Sequence, residues 1–231
     1  MQFADPKNNV AFKKIFGDEN KKEILISFIN AVLDLREDRQ IKEIEIIDSY
    51  QAPKIEGLKY TILDVKAKDK KGNSFIIEMQ VEKQEHFGKR ALYYTSKAYV
   101  NQIKKAVKYL ELKPVIFIGI LNFNLFENKN YLSKHLILNL ENQKQEIKDF
   151  EFNFIELKKF NKNLSELSNI VDKWTYFIKN AENLELIPKE LSKIKEIKEA
   201  FEVANQHTWT EKELEVYDFW QMQETGHIDA L

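Results

Sequence analysis

The sequence predicts an α/β fold with a mixed sheet, because helical and strand patterns alternate along its first 160 residues. Amphipathic helical stripes precede a strand and a hairpin, and a further helical stripe follows the hairpin. A continuous apolar run of strand length comes after that helix, which is typical of a crossover onto the hairpin sheet. The predicted order is therefore α-β-β-β-α-β, with a helical segment at the C-terminal side.

Composition narrows the class of protein. The 231 residues are enough for a sizeable core, and 43% hydrophobic residues exclude a disordered chain. The charges nearly cancel, with 36 basic and 37 acidic residues, so any nucleic-acid contact must come from a local patch. Cysteine is absent, which excludes disulfides and thiolate zinc sites. No signal peptide, membrane-length apolar run or nucleotide-binding motif occurs, so we expect a cytoplasmic protein without membrane partner or nucleotide cofactor.

The first helices are predicted from capping residues and apolar stripes. Asp5 followed by proline is typical of a helix start, and Gly17 is typical of its end. A second helix is predicted to begin near Asn20, with Glu23 completing a capping box. After a charged loop, residues 42–50 are predicted to form a strand.

The helix and strands after residue 85 are predicted from changes in the spacing of apolar residues. Residues 86–110 return to helical spacing, with core positions at Phe87, Ala91, Thr95, Ala98, Tyr99, Ile103, Ala106 and Leu110. The run VIFIGIL after Pro114 is short and β-branched, which is typical of a strand buried on both faces. Residues 131–140 and 150–158 are two further strand candidates.

The C-terminal part of the chain is predicted to be helical, and we place a domain boundary near residue 160. Residues 1–160 would form the main domain and residues 161–231 a helical extension. Thr210 with Glu213 matches a capping box, and Trp209 is placed to be its hydrophobic staple. The apolar spacing fits a helical hairpin on the core and also allows a dimer interface, so the pattern does not decide between a monomer and a homodimer.

The predicted hairpin at residues 61–82 contains the polar side chains that best indicate a functional site. Glu78 and Gln80 are two apart, so they share one face of a strand whose other face is apolar. Asp64 lies in the first apolar run of the hairpin. An ionisable group on a half-buried strand costs free energy unless it is paired, solvated or bound to a metal ion.

The chemistry of these three side chains suits a divalent metal ion. Mg²⁺ takes oxygen ligands, usually one or two protein carboxylates with several waters, and Mn²⁺ suits the same donors. Asp64 and Glu78 can supply the carboxylates, and a backbone carbonyl near position 79 can supply another oxygen. Hydrolysis of a phosphodiester needs such an ion, and Gln80 is placed to orient the attacking water.

A ridge of basic residues on the helix after the hairpin is a candidate nucleic-acid contact. Arg90, Lys97 and Lys104 fall along it, although a charged helix face is also typical of a solvated surface. Arg90 is the strongest candidate, because a guanidinium can hold a phosphate through two hydrogen bonds. Lys66 is either a displaced catalytic lysine or a solvated strand lysine, and Tyr94 is interpreted as a packing residue.

The order Asp64, a turn, then Glu78-x-Gln80 within this frame is similar to the PD-(D/E)XK nuclease superfamily. It most resembles the recombination-promoting nucleases, also described as PD-(D/E)XK nuclease family transposases. The resemblance implies a restriction-endonuclease-like core and a metal-dependent DNA endonuclease associated with recombination or mobile elements. The matching stretches are residues 6–33, 63–80, 89–103, 112–121 and 199–217.

Matched position by position with the motif of the family, the resemblance implies that Asp64 and Glu78 are the metal-binding acids. It places Gln80 at the position that is usually held by lysine. Glutamine lacks the positive charge of that lysine. Relatives usually have Asn-Asp ahead of the Phe-Lys of the first helix, whereas this chain has Asn9, which offers only an amide oxygen. Two hypotheses follow: an active Mg²⁺- or Mn²⁺-dependent endonuclease, or a degenerate, non-catalytic member that binds DNA or a protein.

Overall fold

The computed structural model describes residues 1–47, 50–51, 61–62, 64–83, 85–103 and 108–224. Its helices and strands alternate as the sequence predicts, so the α/β class is confirmed. In chain order they are α1 Asn9–Phe16, α2 Lys22–Val32, β1 Ile44–Ile46, β2 Tyr50–Gln51, β3 Thr61–Ile62, β4 Val65–Asp69, β5 Ser74–Gln80, α3 Phe87–Val100, β6 Val115–Leu121, β7 Leu132–Leu136, β8 Phe150–Glu156, α4 Ile170–Asn180, α5 Lys189–Ser192, α6 Lys195–Ala204 and α7 Glu211–Glu224.

The main sheet is mixed, as predicted. Its strand order is β1-β4-β5-β6-β8-β7. The three central strands β5, β6 and β8 run parallel, while β1 and β4 on one side and β7 on the other are antiparallel to their neighbours. Helix α3 makes the crossover between β5 and β6, which is why these two strands can be parallel. Strands β2 and β3 form a separate two-stranded ladder.

Helices cover both faces of this sheet. One face packs on α1, α2, α4 and α6 in the larger hydrophobic cluster, and the other packs on α3 in a smaller, phenylalanine-rich cluster. Every residue of β6 is buried, as expected for a central strand. In the described part of the chain, no helix combines the length and apolarity that crossing a membrane requires.

The helix starts near the N-terminus differ from the prediction. Helix α1 begins at Asn9, and the side chain of Asn8 caps it by accepting a hydrogen bond from the Val10 N–H at 2.9 Å. Asp5 instead accepts from the Lys7 N–H in a preceding turn. Aspartate before proline favours turns as well as helix caps, and local sequence does not separate the two. The end at Gly17 is confirmed, since α1 ends at Phe16 and Gly17 is its C-cap; a Cβ there would lie 2.6 Å from the Lys13 carbonyl oxygen.

Helix α2 begins, and helix α3 ends, at a different residue than the sequence predicts. A 3₁₀ turn capped by Asp18 leads into α2, so the predicted capping box at Asn20 is wrong. Helix α3 ends at Val100, and Leu110, predicted to face the core, is 91% exposed. After the end of α3, the Gln102 side chain donates to the Lys113 carbonyl and accepts from the Lys113 N–H, both at 2.9 Å.

The C-terminal helix α7 packs on the N-terminal segment. The buried hydroxyl of Tyr217 accepts a hydrogen bond from the Asp5 N–H at 2.9 Å, and Thr210 and Glu213 form the predicted capping box. The Trp209 ring packs edge-on against Tyr217, with centroids 5.4 Å apart. The larger hydrophobic cluster includes residues from both sides of position 160, where the domain boundary stays a prediction.

Gly119 of β6 leaves room for two aromatic rings beside Glu78, with which it is in register. A Cβ at Gly119 would lie 3.0 Å from ring atoms of both Phe117 and Phe154. We expect Gly119→Ala to lower the free energy of unfolding by about 1–3 kcal/mol through overpacking, as measured by urea titration. Gly88→Ala is the control, because a Cβ there would meet no described atom within 4 Å. Equal stability of both variants would contradict this expectation.

Candidate functional site

Asp64 and Glu78, here called the acid pair, meet where β4 begins beside β5. Val65 of β4 is in register with Ile77 of β5, and Asp64 lies in a bend just before β4 rather than inside a strand. The Asp64 N–H donates to Glu78 Oε1 at 3.1 Å. The Met79 N–H donates to Asp64 Oδ2 at 2.8 Å. Both carboxyl groups are therefore fixed by backbone hydrogen bonds across the hairpin.

The acid pair is buried to different degrees. The Glu78 side chain is only 2% exposed, and that of Asp64 is 16% exposed. Glu78 is on the same face of β5 as Ile76, which belongs to the cluster under α3. The face of β5 that carries the polar residues is thus covered by the crossover helix, which the strand pattern alone does not reveal.

A cationic side chain approaches the acid pair from each helical layer. Arg90 of α3 places Nη2 3.5 Å from Glu78 Oε2. Its guanidinium also lies 5.3 Å from the ring centroids of both Phe87 and Tyr94, a cation–π arrangement. From the opposite face of the sheet, Lys13 of α1 places Nζ 4.0 Å from Asp64 Oδ1. Positive charge therefore flanks both carboxyl groups.

Burial makes the ionised acid pair unfavourable. It raises the pKa of Glu78 to about 8, and the nearby charge of Asp64 adds to this, while Arg90 partly offsets it. Burial also raises the pKa of Asp64, against the hydrogen bond from Met79 and the charges of Lys13 and Arg90. Such shifts are typical of functional sites, and a bound divalent cation would favour full ionisation of both groups.

Two neutral groups that carry an oxygen, the Met79 carbonyl and the Gln80 side-chain amide, come directly after Glu78. Within a strand, the N–H and C=O of one residue point to the same side, so the Met79 carbonyl faces the Asp64 side of β5. The Gln80 side chain donates from Nε2 to this carbonyl at 2.9 Å. The next carbonyl, of Gln80, accepts from the Asn122 N–H on the β6 side. Gln80 therefore follows Glu78 by two residues on β5, and its amide is turned toward the Met79 carbonyl.

Asn9 offers a further oxygen. Its Oδ1 atom is buried and has no hydrogen-bond donor among the residues that the structure describes. Asn9 is one helical turn before Lys13, on the same face of α1. Two carboxylates with neutral oxygens fit Mg²⁺ or Mn²⁺, which keep several waters. No cluster of three His, Cys, Asp or Glu side chains suited to a metal ion occurs in the described residues, so water would complete the coordination.

Another buried carboxyl group, that of Asp172, shows a contrasting environment. It accepts hydrogen bonds from Tyr131 Oη at 2.6 Å, from Lys162 Nζ at 2.8 Å and from the Ser168 hydroxyl at 3.0 Å. Burial alone would raise the pKa of Asp172, but these hydrogen bonds hold it below its ordinary value. Asp172 is thus a satisfied structural acid, whereas the acid pair is not.

The remaining candidates from the sequence are distributed along β4 and α3. Lys66 is half-buried in β4, in register with Ile76. Lys97 of α3 places Nζ 5.9 Å from the ring centroid of Tyr93. Lys104 lies outside the described residues. The structure thus brings Asp64, Glu78, Gln80 and Arg90 together and leaves Lys97 further along α3.

Sequence reasoning did not single out two residues of this region. Lys13 was not selected, although it occurs in the first stretch that carries the family resemblance. Tyr94 was interpreted as packing, yet its ring contacts Arg90, and burial raises the pKa of its hydroxyl with the charges of Glu78 and Asp64 contributing. The four-residue spacing of Arg90 and Tyr94 on a helix is the pattern that would have found this contact.

Comparison with known families agrees with the resemblance found in the sequence. A family model described as PD-(D/E)XK nuclease family transposase matches residues 6–226. The matched range includes α1, the hairpin, the mixed sheet and α7, so the resemblance is confirmed and the fold is consistent with a restriction-endonuclease-like architecture. Searches of curated proteins and of solved structures gave no significant match.

Proposed function

This chain belongs to the PD-(D/E)XK nuclease family transposases, and from that premise we propose that it is a DNA endonuclease dependent on Mg²⁺ or Mn²⁺. The observation that carries the proposal is the acid pair: one buried and one half-buried carboxyl group, each accepting a backbone hydrogen bond across the hairpin and each with a raised pKa. Groups in such an environment gain from binding a cation. An association with recombination or mobile elements forms part of the proposal.

The residues around the acid pair suit phosphodiester hydrolysis. A divalent metal ion supplies Lewis-acid chemistry, because it stabilises charge on the phosphate and helps to activate water. Asp64 and Glu78 would hold the ion through their carboxylate oxygens, the Met79 carbonyl offers a neutral oxygen beside them, and Asn9, one helical turn before Lys13, would offer another. Gln80, half-buried at the end of β5, would orient the attacking water through its amide group.

Helix α3 would position the DNA backbone. Arg90 adjoins Glu78, so we propose that it contacts a phosphate that flanks the scissile one. Lys97 and, by continuation of the ridge, Lys104 would contact phosphates further away. Each lost phosphate contact should reduce the salt dependence of DNA affinity.

A plasmid assay tests this proposal. We expect the protein to nick or linearise supercoiled DNA in Mg²⁺ or Mn²⁺, and we expect excess EDTA to stop the reaction. Asp64→Asn should be inactive, while Glu82→Gln, which removes an exposed carboxylate four residues after Glu78, should cleave like the native protein. Cleavage that survives both EDTA and Asp64→Asn would refute the assignment.

A second candidate function is that of a non-catalytic member that binds DNA or a protein. It is favoured by two neutral amides, Gln80 and Asn9, at sequence positions where the resemblance leads us to expect charged groups. Calorimetric titration with Mn²⁺ separates the two functions. Metal binding without any turnover would favour the non-catalytic member, and turnover would exclude it.

A further inference from the structure

A hydrolysed phosphodiester accumulates negative charge that a site must stabilise, and Gln80 supplies no positive charge for this. Its amide group is neutral and its Nε2 atom is hydrogen-bonded to the Met79 carbonyl. A positively charged side chain that assists the metal ion has to come from another element. Three basic side chains of the described residues are candidates: Arg90 and Lys13 adjoin the acid pair, and Lys66 follows Asp64 by two residues.

The surroundings of these three side chains distinguish them. Arg90 is engaged by Glu78 and flanked by two aromatic rings, so its position is already determined. Lys66 is in register with Ile76, on the face of the sheet that α3 covers. Lys13 reaches Asp64 Oδ1 from the other layer, and 41% of its side chain is exposed. Lys13 is therefore both beside an acid of the pair and open to a ligand in solution.

We propose that Lys13 is a further catalytic residue, whose ammonium group contacts the scissile phosphate; this rests on the proposed endonuclease function. Water forms the new bond to phosphorus, the bond from phosphorus to the leaving oxygen breaks, and the leaving oxygen takes up the proton that the water loses. Lys13 keeps its own protons and stabilises the charge on the phosphate oxygens throughout. A flexible lysine suits this role, because its ammonium group can move from Asp64 to an arriving phosphate.

The packing of α1 directs Lys13 toward the acid pair. The neighbouring Lys14 points to α7, where it forms an ion pair with Glu213 and lies 5.3 Å from the centroid of the Trp209 ring. Phe12, on the other side in sequence, is fully buried in the core. Successive helix residues differ in direction by about 100°. The burial of Phe12 in the core therefore sets the rotation of α1 that presents Lys13 to Asp64, while Lys14 points away from the acid pair.

This position gives Lys13 an electrostatic signature that a purely structural residue lacks. A positive charge 4.0 Å from Asp64 Oδ1 repels a divalent cation bound there. Removing it should therefore tighten metal binding while it slows cleavage. A residue that only supports the fold of the site would weaken both together.

The test combines single-turnover cleavage of a duplex oligonucleotide at saturating Mn²⁺ with calorimetric titration of the protein alone by Mn²⁺. We expect Lys13→Ala to slow cleavage about 100-fold and to lower the Kd for Mn²⁺ about tenfold. Lys13→Arg should keep most of the rate, because it keeps the charge. Lys14→Ala, the matched control one residue away, should leave both quantities unchanged.

Each other outcome overturns the assignment in a distinguishable way. If the native protein and Lys13→Ala cleave equally fast, the role of Lys13 is refuted, while the endonuclease function stands. A Lys13→Ala variant that loses Mn²⁺ affinity along with rate also overturns it, because Lys13 would then be structural. Native protein that binds Mn²⁺ but cleaves nothing overturns the proposed endonuclease function and this assignment together.

Discussion

A Glu78→Gln variant is expected to be more stable than the native protein above pH 8 and to have lost metal-dependent cleavage. Glutamine has nearly the shape of glutamate and keeps one oxygen that can accept from the Asp64 N–H. It removes the group whose ionisation is opposed by burial and by the charge of Asp64. The same change removes a proposed metal ligand, so cleavage should fall by about 1,000-fold or more.

The sign of the stability effect follows from the pKa of Glu78. The ordinary pKa is 4.5 and the folded protein raises it to about 8. Between these pH values the folded protein keeps a proton that the unfolded chain has released. The free energy of unfolding therefore falls as pH rises from 4.5 to 8, by about 1.4 kcal/mol for each unit of pKa difference. The advantage of Glu78→Gln should be absent below pH 4.5 and largest above pH 8.

Urea titrations in EDTA at pH 4.5 and pH 9 measure this effect, and Asp172→Asn is the matched contrast. Hydrogen bonds hold the pKa of Asp172 below its ordinary value, so its carboxylate stabilises the fold at neutral pH and stops doing so as pH falls. Asp172→Asn should therefore be less stable than the native protein at pH 9, and its loss of stability should be smaller at pH 4.5. If Glu78→Gln were also less stable at pH 9, the raised pKa would be wrong.

Added metal provides an independent check on the same variant. A fixed Mn²⁺ concentration, 100 times the Kd at pH 8, should stabilise the native protein at pH 8 by about 2.7 kcal/mol, since the proposed site exists only in the folded chain. The effect should be larger at pH 8 than at pH 6, because bound metal requires both carboxyl groups to be ionised. Glu78→Gln should show little of this stabilisation at either pH.

Much of the fold was predictable because the determining patterns are local. The hairpin follows from two apolar runs around a turn, and the all-apolar run of β6 indicates a strand covered on both faces. The proximity of Asp64 and Glu78 follows from the same hairpin, since antiparallel pairing places the start of β4 beside the end of β5. Core positions of α3 such as Phe87 and Ala91 follow from helical spacing.

The features that sequence did not reveal depend on how separate elements pack. Lys13 and Asp64 are brought together by the packing of α1 against the sheet, which no local pattern encodes. The cover over Glu78 comes from α3, whose placement depends on the crossover between β5 and β6. The hydrogen bonds between Gln102 and Lys113 beyond the end of α3 join residues 11 apart, which helical spacing does not predict.

Arg90→Met is expected to destabilise the protein strongly above pH 8 and only weakly at pH 5. Methionine replaces much of the apolar stem between Phe87 and Tyr94 but removes the charge 3.5 Å from Glu78 Oε2. At pH 9 a buried carboxylate would be left without its cation, which costs about 3–5 kcal/mol. At pH 5 Glu78 is protonated in the folded protein, so the loss should be limited to the cation–π contacts, about 1 kcal/mol.

A double-mutant cycle with Glu78→Gln shows whether this loss comes from the charge pair. In the Glu78→Gln background, Arg90→Met should lower the free energy of unfolding by about 1 kcal/mol at both pH values, because no buried carboxylate loses its cationic partner. An equal loss in both backgrounds would mean that Arg90 contributes through packing alone. The pH-dependent coupling energy expected here would instead show that α3 keeps Glu78 able to ionise, which metal binding at this site requires.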